Sequence, residues 1–173
     1  METYPMKTSR TLTFSCLALI LSVLMMAATA FAQGPDDSDA LKGVTSGKAL
    51  FDINLGKAES VPLYLQVIGM THQGLVKQGV TPEFVVAFRG PSVQFITGTA
   101  HAKDSTQAAV FEQIAVKVRE LKTMGVTFEA CAIATNLFQI DNATVLPEIK
   151  VVGNTFISLI GYQAKGYGTI PIM

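Results

Sequence analysis

The residue with the clearest chemical potential in this 173-residue sequence is Cys131. It lies where a predicted strand, residues 126–130, meets a short predicted helix that opens near Ala132. In an open α/β sheet the carboxyl ends of the strands form the crevice that binds ligands, and a helix N-terminus offers unpaired N–H groups and partial positive charge. A thiol in such a field ionises more easily, and the thiolate is its reactive form. Free cysteines are also among the most buried residues, and position alone modestly favours an inert core cysteine.

Three further residues are placed to assist a thiol at this edge of the predicted sheet. Arg89 follows the second predicted strand, where its guanidinium could stabilise an anionic sulfur. Asn54 ends the first strand and Asn136 lies in the helix after the cysteine, where each could donate a hydrogen bond. A structural role in a turn explains Arg89 equally well. For the two asparagines, a turn or capping role is the more common one.

The sequence lacks the marks of several other chemistries. No glycine-rich phosphate loop follows the first predicted strand. His72 and His101 form no metal-ligand spacing with Cys131, and the position that a Cys-x-x-Cys pair would need is Ala134. We therefore predict neither a metal nor a cofactor. Thirteen basic and thirteen acidic residues balance, and no basic stripe is present, so we expect no nucleic-acid partner.

Residues 1–32 show the pattern of a secretory signal peptide. A basic start is followed by an apolar run over residues 17–28 and by small residues before a predicted cleavage site at Gln33. The run is short for a membrane-spanning helix. We therefore expect no membrane segment in the mature form and a periplasmic or secreted location. Either Met1 or Met6 could be the true start.

Cleavage at this site would remove Cys16 and leave Cys131 as the sole cysteine. A secreted protein with one cysteine has no internal disulfide, so the thiol is buried, paired between chains or chemically used. Residues 33–47 are polar and predict a flexible leader. The folded domain is therefore assigned to residues 48–173.

Strands and helices alternate throughout that domain. Strands are predicted over residues 48–54, 83–88, 126–130, 149–152 and 168–172, and helices over residues 61–78, 104–124, 132–139 and 155–164. This alternation predicts a single flavodoxin-like α/β domain, with a five-stranded, mainly parallel sheet and helices on both faces. Right-handed crossovers favour the strand order 2-1-3-4-5, in which the third strand is central and Cys131 ends it.

The first predicted helix is apolar on two sides. One side carries Val61, Tyr64, Leu65, Ile68 and Leu75, and the other carries Leu63, Val67 and Met70. A helix that is apolar on two sides is packed on both. This pattern favours a subunit interface on the outer side of the helix.

Three segments together resemble the DsrE/DsrF-like family. They are the Cys131 segment, the sequence Arg-Gly-Pro at residues 89–91, and the ending Ile-Gly-Tyr-Gln-Ala-Lys-Gly-Tyr at residues 160–167. The similarity covers about residues 48–172. It implies a five-stranded parallel fold and assembly as a homotrimer or homohexamer. Members that act in sulfur oxidation and tRNA thiolation carry sulfur as a persulfide on one cysteine after the central strand, which corresponds to Cys131. Ala132 stands where many members have glycine.

The resemblance favours a sulfur carrier that accepts sulfane sulfur as a persulfide on Cys131 and passes it to a partner protein thiol. Its partners would be sulfur donor and acceptor proteins, and its activity would be transfer between proteins rather than turnover of a small substrate. One alternative is a small-molecule or protein-binding module in which Cys131 is buried core. A rhodanese-type sulfurtransferase ranks last, because residues 131–136 lack the basic and glycine residues of its cysteine loop.

Overall fold

Residues 36–173 are described in this computed structural model of the protein. The predicted signal peptide, its cleavage site at Gln33 and the first residues of the predicted leader lie outside the described residues. Residues 36–40 belong to an N-terminal unit, in which the hydroxyl of Ser38 donates to the carboxylate of Asp36. The second unit, Leu41–Met173, contains all the strands and helices that follow.

Five strands form one sheet in this unit. They are β1 (Ser46–Ile53), β2 (Thr81–Phe88), β3 (Thr127–Cys131), β4 (Lys150–Val152) and β5 (Gly168–Ile172). All four pairings between neighbouring strands are parallel. The predicted class, a five-stranded parallel α/β domain of flavodoxin-like type, is therefore confirmed.

Four α-helices connect these strands. They are α1 (Val61–Lys77), α2 (Ser105–Thr123), α3 (Ala132–Leu137) and α4 (Thr155–Ala164). Among residues 36–173, no helix combines the length and the hydropathy that crossing a bilayer requires. Every predicted strand and helix is present, with ends displaced by at most two residues. The first strand begins at Ser46, inside the predicted leader, because its polar start pairs with β2 through backbone groups that hydrophobic patterning does not register.

The predicted strand order is wrong. The observed order is β4-β3-β2-β1-β5, so β2 is central and β3 lies between β2 and β4. The last five residues of β2, Phe84–Phe88, are all buried, as the middle of a sheet covered on both faces requires. Pro171 in β5 lacks an N–H group, which suits an edge strand. Cys131 accordingly ends an interior strand that is not the central one.

The strand order decides which face of the sheet each helix covers. The connections from β1 to β4 all proceed in one direction, and residues of α1, α2 and α3 pack in the larger core. The return from β4 to β5 runs the opposite way. Right-handed crossovers then require α4 to cover the other face, where Leu159 and Tyr162 pack against Leu50 and Val85. One face thus carries three helices and the other carries α4 alone.

Helix α1 buries one of its two apolar sides. Val61, Leu65 and Ile68 lie in the larger core. On the outer side, Leu63 is 60% exposed and Met70 is 61% exposed. Large apolar side chains that lie close together on a surface are typical of an interaction site.

We expect the mature protein to form a trimer or a larger assembly in which this outer side of α1 is covered. Leu63→Lys combined with Met70→Lys should shift the assembly towards monomer, because each lysine would have to be desolvated at the interface. Multi-angle light scattering at micromolar concentration measures the change. Gln78→Lys adds a charge at the end of the same helix and should leave the mass unchanged. A monomeric unaltered protein would contradict the expectation.

Candidate functional site

Cys131 lies at the wall of a cavity of about 210 Å³ at the carboxyl edge of the sheet. It is the last residue of β3, and α3 begins at the next residue. The cavity is also lined by Arg89 and Gly90, by residues of α3 as far as Leu137, and by the start of α4. The side chain of Cys131 is 6% exposed, so the sulfur is reached through this cavity and not from an open surface.

Two opposing effects act on the thiol. Burial raises the pKa of Cys131, whereas hydrogen bonds from the N–H and hydroxyl of Thr155 and from the N–H groups of Ala134 and Ile133 lower it. The hydrogen bonds prevail, and the pKa of Cys131 lies below its ordinary value. The sulfur therefore lies at the starts of two helices, where unpaired N–H groups favour a negative charge.

Thr155 is the first residue of α4 and is completely buried. Its hydroxyl has no hydrogen-bond partner among the described residues, although it lines the same cavity as Cys131 and lowers the pKa of that thiol. The preceding residue, Asn154, caps the helix by accepting a hydrogen bond from the N–H of Phe156 at 2.9 Å. Since that cap satisfies the N–H of Phe156, the N–H of Thr155 remains available to the sulfur.

A buried ion pair fixes Arg89 in the same cavity. Its Nε donates to Asp52 Oδ1 at 2.6 Å and its Nη2 donates to Asp52 Oδ2 at 2.8 Å, a bidentate geometry. These hydrogen bonds raise the pKa of Arg89, and the attraction of Cys131 adds to the effect. The guanidinium also lies over the ring of Phe156, with Cζ 5.5 Å from the centroid. Arg89 thus faces the thiol, but Asp52 offsets much of its charge.

The two asparagines predicted to assist the thiol do not line the cavity. Asn54 lies behind it, against Gly90, where an added Cβ would clash with Asn54 Oδ1. Its amide instead approaches the sulfur of Met173 at 3.8 Å. Asn136 is exposed on α3. Arg89 therefore shares the cavity with Cys131, and both asparagines lie outside the cavity lining.

Both histidines lie elsewhere. His72 packs edge-on against Phe84 with ring centroids 5.6 Å apart, and the Nε2 of His101 lies 3.1 Å from Thr144 Oγ1. Within residues 36–173, no group of three or more His, Cys, Asp or Glu side chains is arranged to hold a metal ion.

Sequence analysis missed three polar residues on the α4 face of the sheet: Asp52, Glu129 and Thr155. Glu129 is buried two residues before Cys131, and its Oε1 accepts a hydrogen bond from the hydroxyl of Tyr162 at 3.1 Å. Burial and this carboxylate raise the pKa of Tyr162 to about 12. Asp52 and Glu129 are charged residues inside otherwise buried strands, a signal that was present in the sequence. Thr155 offered no comparable signal.

The fold and the site define a parallel α/β domain with a cysteine at the carboxyl end of an interior strand. Residues 22–172 match the DsrE/DsrF-like family, and the chain belongs to this family.

A relative in Aquifex aeolicus (strain VF5), described as an uncharacterized protein, is 29% identical over 125 residues. The match covers 72% of this chain and 55% of the relative, so the chain spans about half the length of that protein.

Two solved structures share the fold. A protein of unknown function from Methanobacterium thermoautotrophicum superposes with a TM-score of 0.55 at 17% identity, over 73% of this chain and 99% of that one. A conserved protein of unknown function from Bacteroides thetaiotaomicron superposes with a TM-score of 0.52 at 17% identity, over 72% of this chain and 94% of that one. At this identity the likeness concerns the fold alone.

We expect alkylation of native Cys131 to reach half its maximal rate at a lower pH than alkylation of the same cysteine in urea, where a free thiol has a pKa of about 8.5. The pH dependence of iodoacetamide labelling, followed by mass spectrometry, measures the difference. Because the folded pKa is the lower one, Cys131 contributes stability above the unfolded pKa and loses it as pH falls through the folded pKa. Cys131→Ser should remove that part of the pH dependence. Equal half-maximal pH values would contradict the expectation.

Asp52→Ala should lower the free energy of unfolding by about 3 kcal/mol, because it leaves the largely buried Arg89 guanidinium without its partner. Urea denaturation measures the loss. The control is Glu120→Ala, which breaks a partly exposed pair with Lys117 and should cost less than about 1 kcal/mol.

Asp52→Leu combined with Arg89→Met should recover much of the lost stability, since no buried charge is then unpaired. Similar small losses in Asp52→Ala and Glu120→Ala would show that the ion pair is not what holds Arg89.

Proposed function

We propose that this protein carries sulfane sulfur as a persulfide on Cys131 and passes it to the thiol of a partner protein. Membership of the DsrE/DsrF-like family suggests a role related to sulfur relay. The observation that carries the finer proposal is the environment of the Cys131 sulfur. N–H groups from two helices and one buried hydroxyl favour its thiolate form at the wall of a cavity.

Loading requires a nucleophilic sulfur. The thiolate of Cys131 attacks the terminal sulfur of a polysulfide dianion, and a new S–S bond forms as the old one breaks. The shortened polysulfide leaves as a dianion, and Cys131 becomes an anionic persulfide. The total charge is conserved, and no external oxidant or second cysteine is needed.

The lining of the cavity supports this chemistry. Ile133, Leu137 and Phe156 give it largely apolar walls. Weakly hydrated sulfur atoms tolerate such walls better than a strongly hydrated anion would. Arg89 lines the same cavity as the thiol, and the part of its positive charge that Asp52 does not offset favours an anionic sulfur donor.

The place of action and the assembly are part of the same proposal. The protein acts in the periplasm or outside the cell after its signal peptide is removed, and exchanges sulfur with donor and acceptor proteins as a homotrimer or homohexamer. The charge pattern of residues 1–32 and the exposed apolar side of α1 support these two statements.

One observation favours the alternative of a binding module with an inert core cysteine: the low exposure of Cys131. A reagent must enter the cavity to reach the sulfur. The rhodanese-type alternative gains no support, because the residues after Cys131 continue directly into α3 and form no cysteine loop.

Treatment with polysulfide should raise the intact mass of the protein by one sulfur atom, about 32 Da, and a reductant should reverse the gain. Cys131→Ser should abolish the gain while preserving the circular dichroism spectrum, because the two side chains differ little in size. If native Cys131 resists both polysulfide and iodoacetamide until urea unfolds the chain, the carrier function fails and the binding module takes its place.

A further inference from the structure

We propose that Thr155 is a catalytic residue of sulfur hand-over, whose hydroxyl stabilises the Cys131 thiolate as the bound sulfur leaves. The inference rests on the proposed function and adds to it a residue that belongs to α4, distant in sequence from the cysteine. It implies that the site favours release of the bound sulfur over its retention.

The geometry that carries the inference is the burial of an unpartnered hydroxyl in the cavity that Cys131 also lines. Thr155 is completely buried, lines the same cavity as Cys131, and its hydroxyl has no hydrogen-bond partner among the described residues. A buried hydroxyl without a hydrogen bond costs free energy. Another buried threonine, Thr135, shows the usual arrangement, because its hydroxyl lies 3.0 Å from the carbonyl of Ala132 and 2.6 Å from Asn142 Oδ1.

The position of the negative charge differs between the two states of the carrier. In the free thiolate the charge lies on the Sγ of Cys131. In the persulfide it lies on the outer sulfur, about 2 Å further away along the S–S bond. The hydroxyl of Thr155 and the N–H groups of the helices are fixed in the fold and cannot follow the charge. They therefore stabilise the thiolate more than the persulfide.

This difference favours release of the sulfur. An acceptor thiolate attacks the outer sulfur of the persulfide and forms a new S–S bond with it. The bond between that sulfur and Sγ breaks, its electron pair stays on Sγ, and Cys131 leaves as a thiolate that accepts the hydrogen bond from Thr155. Thiolates of lower pKa leave faster in this exchange.

Thr155→Val removes the hydroxyl while keeping the branched shape, and Thr155→Ser keeps the hydroxyl. The pH profile of iodoacetamide labelling measures the thiolate fraction of Cys131. At a pH below the midpoint of this profile, the valine variant should have about a tenfold smaller thiolate fraction, as expected for the loss of one charge-assisted hydrogen bond. Hand-over of sulfur from the loaded protein to glutathione should be slower by a factor of about three or more. The serine variant should restore both quantities. Arg89, Asp52 and Glu129 are unchanged in every variant, so the comparison isolates the hydroxyl.

Thr97→Val is the matched control, because Thr97 is also buried but lies outside the cavity and makes only a long hydrogen bond, 3.4 Å, to the carbonyl of Gln94. Thr97→Val should change neither the thiolate fraction of Cys131 nor the rate of sulfur hand-over to glutathione. If the unaltered protein loads and the valine variant matches it in both quantities, the role of Thr155 is refuted while the carrier function stands. If the unaltered protein takes up no sulfur, the carrier function fails first. Should the valine variant not fold, Thr155→Ala is compared with Thr155→Ser by the same two measurements.

Discussion

The packing of a single helix, α4, on the second face of the sheet is the constraint on which the site depends. Its first residue, Thr155, lines the cavity beside Cys131 and lowers the pKa of that thiol, and the next residue, Phe156, lies against the guanidinium of Arg89. Further along the same helix, Tyr162 donates to the buried carboxylate of Glu129. A small displacement of α4 would alter all three contacts together. The ionisation of Cys131 is therefore coupled to the packing of this helix.

The same face of the sheet buries the charged side chains of Asp52 and Glu129. The pair between Asp52 and Arg89 satisfies its charges by bidentate hydrogen bonds, whereas Glu129 Oε2 has no partner among the described residues. Buried ionic groups contribute little net stability compared with apolar residues of similar size. These charged side chains lie close to Cys131, which suggests that they serve the chemistry of the sulfur. Proteins commonly accept a local cost in stability at functional sites.

Burial of Cys131 has two consequences that act in opposite directions. It excludes water from the thiolate and so strengthens each hydrogen bond that the sulfur accepts. It also means that an acceptor thiol must enter the cavity past Leu137 and Phe156, which are 74% and 58% exposed at its rim. A partner would meet an apolar rim before it meets the sulfur. Selection between partners can therefore occur at the rim, separately from the reactivity of the thiol.

The sequence by itself determined the five strands and four α-helices of the domain, the parallel class of the sheet, and the position of Cys131 at a strand–helix junction. These features follow from local patterns: apolar periodicity, glycine and proline at ends, and the rule that parallel strands share their carboxyl edge. Only the tertiary structure decided the strand order, because alternation does not say on which side of the sheet each new strand is added. It also decided which side chains lie around the sulfur. Arg89 is fixed in the cavity by Asp52, which is 37 residues away in sequence. Thr155 lines the same cavity and belongs to α4, on the opposite face of the sheet from α3. The sequence places Asn54 and Asn136 at the same edge of the sheet. In the structure, however, the side chain of Asn54 lies against Gly90 and Asn136 is exposed to solvent. Contacts of this kind depend on the three-dimensional path of the chain, and no local pattern encodes them.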